Sequence, residues 1–182
     1  MPIDSKLLSI NDFLARTAET GFARANRLTV SVFGPFNTIN EARSMTYSAE
    51  QVSLPGRMLE VSSVNIYGPV FKMPRLSTYN DILITFLCDD YMTQRTAFDK
   101  WINYINPTQN GFNFNYRDDY VGRLEIRQIN ESGTKASYGV KLIEAYPIAI
   151  GGIQGNWVET DIQRLQVQFA YRYWENLTPL EL

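Results

Sequence analysis

Polar and apolar residues take strict turns in several stretches of this chain. Arg27 to Val32 reads Arg, Leu, Thr, Val, Ser, Val. A strand with that pattern turns Leu28, Val30 and Val32 to a core and leaves Thr29 and Ser31 wet. Arg123 to Arg127 repeats the pattern with Leu124 and Ile126 inward, and Ser137 to Leu142 repeats it with Tyr138, Val140 and Leu142 inward. Ile143 follows Leu142 directly, so the phase slips there, which predicts a bulge or bend. In the longest run, Leu165, Val167, Phe169, Tyr171 and Tyr173 share one face. Arg164, Gln166, Gln168, Ala170 and Arg172 share the other. One dry face and one wet face is antiparallel behaviour. Ile82 to Leu87 is apolar at every position except Thr85, which predicts an inner strand covered on both sides.

One helix stands out. Asp89 or Asp90 can cap it, Phe98, Trp101, Ile102 and Ile105 form a single stripe, and Asn106-Pro107 ends it, within residues 91–105. A second helix is expected from Ser9, with Asp12 as a partial capping box, a stripe of Ile10, Phe13 and Leu14, and Gly21 as its stop. From about Met45 to Pro74 the chain reads as extended. Leu54-Pro55-Gly56 and Tyr67-Gly68-Pro69 mark turns, so Arg57 to Pro74 reads as a long hairpin arm. An arm of about 18 residues is more than a compact monomer needs. The expected fold is mostly β (α+β): an antiparallel sandwich or barrel with one packed helix and an extended hairpin arm.

Composition narrows the function more than the fold. At 182 residues a single domain, 1–182, is expected. There is no histidine, which excludes Ser-His-Asp and Cys-His nucleophile pairs and every His-bearing metal or haem site. One cysteine, Cys88, can neither close an internal disulfide nor hold a cluster. With 17 basic against 19 acidic residues the net charge is −2, unsuited to gripping nucleic acid by counterion release. No catalytic, cofactor or metal site is expected. The opening Met1–Lys6 lacks the start of a secretory signal, and no stretch approaches the roughly 20 apolar residues of a membrane helix. No membrane anchor is expected, and synthesis as a soluble protein in a cytoplasm is.

The remaining candidate motifs have structural readings. Asp89-Asp90 and Asp118-Asp119 could suggest a metal, but neighbours on a strand point opposite ways, and capping and turn chemistry explain them. Gly151-Gly152-Ile153-Gln154-Gly155 lacks the Lys-Ser/Thr ending of a phosphate loop and reads as a flexible connection. Ser132-Gly133-Thr134-Lys135 sits between two alternating strands as a hairpin loop. Of the 10 Phe, 11 Tyr and 3 Trp, several lie on dry faces. Phe112, Phe114, Tyr116 and Tyr120 lie in a polar, turn-rich stretch and suit a contact between protein chains.

Taken in order, several motifs resemble the tail tube proteins of contractile-tailed bacteriophages. Phe22-Ala23-Arg24-Ala25-Asn26-Arg27 runs into a strand as the family's N-terminal signature does, with Ala25 where a proline is frequent. Leu54-Pro55-Gly56 is similar to its turn before the arm, and Tyr79-Asn80-Asp81-Ile82 leads into the inner strand. Arg95-Thr96-Ala97-Phe98-Asp99-Lys100-Trp101 is similar to its helix. Tyr146-Pro147, Trp157 and Val167 through Tyr173-Trp174-Glu175 resemble its C-terminal half.

The resemblance implies a major tail tube subunit of the virion, in the phage tail. Such subunits form hexameric rings that stack into a DNA conduit inside a contractile sheath. Sheath, baseplate and tail terminator proteins are the implied partners. The alternative is a tube initiator of the baseplate, or the inner tube of a bacterial contractile injection system. The arm would carry the ring-stacking contacts through Arg57, Met58, Leu59, Tyr67, Val70, Phe71 and Met73, and residues 1–24 would form an N-terminal segment that also reaches a neighbour. DNA would pass a polar lining without specific binding, and Thr29, Ser31, Gln166 and Gln168 are candidates for that lining. Arg164 and Arg172 would then need carboxylate partners.

Overall fold

The computed structural model describes residues 10–35, 39–65, 67–111, 113–131, 133, 135–153, 155, 157–158 and 160–178. Helix α1 (Ile10–Thr20) leads to β1 (Leu28–Phe33), α2 (Ile39–Ser48) and β2 (Ala49–Val52). Then come β3 (Met58–Val64), β4 (Phe71–Thr78), β5 (Ile82–Leu87) and α3 (Thr93–Ile105). A 3-10 turn at Thr108–Asn110 and the one-turn helix α4 (Arg117–Tyr120) precede β6 (Gly122–Ile129), β7 (Ala136–Ile150), β8 (Arg164–Ala170) and β9 (Tyr173–Asn176).

All pairings are antiparallel, in the order β1-β6-β7-β8-β5-β2, with β9 also on β7. The long strand β7 serves two half-sheets. Its first part pairs β6 on one side and β9 on the other, and from Tyr146 onward it pairs β8. The phase slip expected beside Leu142 is a bend. Glu144 takes the left-handed conformation, φ 54°, where a side chain is disfavoured. Its carboxylate is held by Arg117 at 2.6 Å and Arg172 at 2.9 Å. The strand expected to run on to Tyr173 breaks opposite that bend into β8 and β9, leaving Tyr171 and Tyr173 half-buried. Tyr138, expected inward, is 39% exposed with its hydroxyl bonded to Asn176.

The core fills the space between the half-sheets. Val30, Val32, Leu124, Ile126, Val140 and Leu142 come from one, and Ile82, Ile84, Phe86, Leu165, Val167 and Phe169 from the other. Helix α3 adds Phe98, whose ring lies 5.1 Å from Phe86 and 5.8 Å from Phe169, and Trp101, 6.3 Å from Phe169. Removing a buried ring of this kind costs about 3–5 kcal/mol. Reciprocal bonds cap the helix: the Thr93 amide donates to the Asp89 carboxylate at 2.7 Å, and the Asp89 amide donates to the Gln94 side chain at 3.1 Å.

Two further expectations need correction. Residues 45–48, expected extended, are helical, because α2 is anchored by buried Met45. Thr46 and Ser48 satisfy their hydroxyls on the carbonyls of Ala42 and Met45. The strand β5 is inner in pairing, between β8 and β2, but not covered on both faces: Leu83 is 49% exposed. Helix α1 forms where expected, and Ile10, Phe13 and Leu14 of its stripe are exposed. Gly21 ends that helix at φ +64°, its amide on the Thr17 carbonyl. Ser9 and the Asp12 side chain lie outside the described residues.

Trp101 is also fitted by glycine. A Cβ on Gly122 would press into the Phe33 carbonyl oxygen and stand 2.9 Å from the indole ring. Gly122→Ala is therefore expected to cost about 1–3 kcal/mol in urea unfolding. Gly56→Ala, with nothing within 4 Å of the added carbon, is expected to stay within about 0.5 kcal/mol. Equal costs would show that Trp101 is not seated against Gly122. Burial and the adjacent Asp89 push the Cys88 thiol up, so less thiolate exists at pH 8. Its alkylation there is expected to be slower in the folded chain than in urea; an equal rate would contradict the half-buried placement.

Candidate subunit interfaces and channel wall

The arm grows out of one half-sheet. Strand β2 leads through Leu54-Pro55-Gly56 into β3, and β4 returns through Tyr79 into β5, so the paired β2 and β5 form the stem. Strands β3 and β4 pair only with each other, from Met58↔Thr78 to Val64↔Phe71, with a register shift after Glu60. The root is fixed: Trp174 Nε1 donates to the Gly56 carbonyl at 3.3 Å, Arg57 donates to Ser77 at 3.2 Å, and its guanidinium lies 5.9 Å from the Tyr79 ring. Beyond the root the hairpin is exposed on both faces. An isolated two-stranded hairpin is marginal in water.

Every arm residue named from sequence lies on this hairpin. Met58 and Leu59 are on β3, Phe71 and Met73 on β4, Tyr67 and Val70 at the tip, and Arg57 at the root. The returning strand runs on to Thr78, which adds exposed Leu76, and Val61 is exposed on β3.

The outward face of the stem half-sheet is nearly uncharged and mixes glutamines with exposed Leu83 and a buried Thr85. Gln51, Thr85 and Gln166 lie in one row across β2, β5 and β8, and Leu83 and Gln168 lie in another. Gln168 donates to Asp81 at 3.1 Å. Arg164 meets Glu50 at 2.7 Å, and its hydrogen bond holds the Glu50 carboxyl below the usual range. Both arginines on the wet phase of the C-terminal run are thus paired, Arg164 with Glu50 and Arg172 with Glu144.

The other half-sheet has a different outward face. Thr29 lies opposite Arg127 and Ser31 opposite Glu125, so these two residues stand apart from Gln166 and Gln168. Glu125 is buried at 6% exposure, bridged by Arg123 at 3.1 Å and Arg127 at 2.7 Å. Lys141 and Glu175 continue its row. This face carries three cations, Arg123, Arg127 and Lys141, against two carboxylates. The stem face carries Arg164 against Glu50 and Asp81.

The strand edges also bear on assembly. Strand β2 ends the sheet path, and β7 beyond Tyr146 has β8 alone as a strand neighbour. Of the aromatic quartet, Phe114 and Tyr116 are exposed, and Phe112 lies outside the described residues. Tyr120 packs within its own subunit, 5.4 Å from the Tyr146 ring, and its carbonyl accepts from Trp101 at 2.8 Å. Asp118 and Asp119 sit exposed in the first turn of α4. Among the described residues no group of acidic and cysteine side chains is arranged to hold a metal. No described helix is long and apolar enough to cross a membrane.

Comparison with known proteins adds the fold family. A chain in the sheath–tube complex of an extracellular contractile injection system (PVC) superposes with TM-score 0.66 at 17% identity, over 90% of this chain and 96% of that one. A chain of the 6-fold symmetrised anti-feeding prophage (AFP) baseplate gives 0.64 at 13% identity, over 87% and 97%. A chain of the PVC sheath/tube terminator gives 0.64 at 17%, over 85% and 96%. At these identities the likeness shows a common fold. Among curated protein sequences nothing matches. The family model described as phage tail tube protein matches residues 19–177, nearly the whole chain. The protein belongs to the phage tail tube protein family, and is a tail-associated structural protein rather than an enzyme.

Proposed function

We propose that this chain is the repeating subunit of a tail tube: one domain, closed into hexameric rings that stack into a DNA conduit inside a contractile sheath. The observation that carries the reading is the stem half-sheet, which has a free strand edge on each side and a hairpin arm leaving one end. Its strands run β7-β8-β5-β2, alternating in direction, so β2 and the end of β7 are antiparallel. Rotation about a ring axis keeps each strand's direction. The β2 edge of one copy therefore meets the β7 edge of the next in antiparallel order, and closure removes both edges. A six-fold ring agrees with the symmetry of the baseplate whose chain shares this fold.

The stem half-sheet then supplies the channel wall, with Gln166 and Gln168 facing DNA. Its excess of carboxylate over cation is what lets a polyanion slide, whereas the Arg123–Glu125–Arg127 face would retain it. Thr29 and Ser31 belong to that second face, away from the lumen. The arm and α1, with its exposed stripe, contact neighbouring copies. Sheath, baseplate and terminator proteins are the expected partners, in line with the complexes whose chains share the fold. Assembly takes place in the host cytoplasm. The baseplate and injection-system chains favour a second reading, a tube initiator or an injection-system inner tube. Copy number per particle separates these: hundreds for a repeating subunit, about one ring for an initiator.

Replacing residues 58–77 by a short Gly-Ser turn is expected to leave the thermal transition of the subunit unchanged and to abolish tubes by electron microscopy. Tubes of normal length would refute the arm's role. Gln166→Lys with Gln168→Lys adds about twelve positive charges to each six-fold ring, and tubes of this variant are expected to bind duplex DNA in a salt-sensitive manner. The same charges at Thr29 and Ser31 are expected to leave lumenal DNA binding unchanged; the reverse result would exchange the roles of the two faces.

A further inference from the structure

The end of the stem half-sheet opposite the arm carries a second apolar surface. The register places Asp81, Ile82 and Phe169 at the arm end, and Leu87, Arg164 and Ile150 at the far end. Two segments leave from that far end: the turn between β5 and α3, and the connection 151–163 between β7 and β8. The connection is pinned where it begins and ends. The Gly151 carbonyl accepts from Arg95 at 2.7 Å, and the Cys88 amide donates to the Gln163 carbonyl at 2.9 Å. Between these points Trp157, Val158 and Ile162 are exposed, Trp157 fully, and Tyr91 is exposed on the neighbouring turn. A fully exposed tryptophan beside three exposed apolar residues marks a contact surface.

Charge selects what covers it. Asp90 and Asp161 are exposed at this end, beside the Asp89 that caps α3, while the two arginines there, Arg95 and Arg164, are paired with Asp99 and Glu50. The arm is apolar too, but basic: Arg57, Lys72 and Arg75 stand against Glu60 alone. We propose that the acidic, apolar end formed by Trp157, Val158, Asp161 and Ile162 with the 89–91 turn is the docking surface for the arm of a second copy in the adjacent ring. This rests on the stacked-ring reading above. Two complementary surfaces at opposite ends of one sheet are what a head-to-tail, heterologous contact requires. A pairing of like ends would set the basic arms against each other. The arm, short of partners within its own subunit, gains a dry face on Trp157, and the aspartates meet Lys72 and Arg75.

A charge exchange tests this. One variant carries Lys72→Glu and Arg75→Glu, making both its arm and its docking end acidic. The other carries Asp90→Lys and Asp161→Lys, making both basic. Each alone is expected to lose tubes, with pelletable polymer falling about tenfold through like-charge contact at every copy. An equimolar mixture is expected to restore tubes, since each arm then meets an opposite charge. Polymerisation of either variant at the wild-type level, or a mixture no better than its parts, overturns the docking surface. Trp157→Ser provides a check without charge: it is expected to reduce tubes at an unchanged thermal transition, and wild-type tubes would again overturn the assignment. The arm-replaced chain separates the two levels. Tubes formed without the arm sink the stacking reading itself; tubes lost without the arm but kept in both charge variants sink only the docking surface.

Discussion

The strand β7 has to serve two sheets at once, and it can do so only by turning at Glu144. A residue with a side chain pays for a left-handed backbone with local strain, typically about 1–3 kcal/mol. Here the same side chain supplies part of the compensation: its carboxylate ties α4 through Arg117 and the β8–β9 break through Arg172. The two breaks lie side by side in a single long hairpin, so β7 and the β8–β9 run bend together and keep their pairing on either side. Without the turn the two faces of the fold would form one continuous plane. With it, the dry residues of both halves converge on α3, and the wet residues are divided between two outward faces.

That division separates two electrostatic tasks. One face concentrates charge around a buried carboxylate, where Glu125 needs both arginines because an unpaired charge at that depth is costly. The other is left to glutamines, a threonine, Leu83, one ion pair and the single further carboxylate of Asp81. A protein net of −2 could have spread its charges evenly. Instead the cation excess sits on one half-sheet, and the half-sheet with free edges on both sides has none.

The strands were legible because an outward face in water and an inward face in a core impose period two; β1 and β8 obey it over their whole lengths, and β6 does so as far as Arg127. The arm was legible from its punctuation instead: Leu54-Pro55-Gly56 marks its root and Tyr67-Gly68-Pro69 its tip. Helix α2 was hidden because Met45 is the one deeply buried anchor among its described side chains and most of its other residues are polar or small, with Tyr47 exposed, so no stripe stands out. Leu83 misled because an apolar residue at the period of a wet face looks like core; only the absence of a covering layer shows otherwise. Period two sets Gln166 and Gln168 on one outward face and Thr29 and Ser31 on an outward face too, yet it cannot say that these are two different faces. That depends on the bend, and on contacts such as Glu50 with Arg164 that span 114 positions of sequence.

The two kinds of free surface on the stem differ in what they can build. An edge-to-edge contact between β2 and β7 is repeated by rotation, and rotation returns to its start, so a ring consumes every edge it creates. An end-to-end contact is repeated by translation along the axis, and translation never returns. Each added ring exposes the same end that the previous ring exposed. In the stacked-ring reading the free energy of adding a ring is therefore independent of how many came before, and the end-to-end contact by itself sets no length. Tube length must come from a molecule that binds one end without presenting it again. Under the same reading an exposed hairpin with apolar residues on both faces is tolerable: its hazard as a sticky surface is its use, provided growth is confined to one axis and capped from outside.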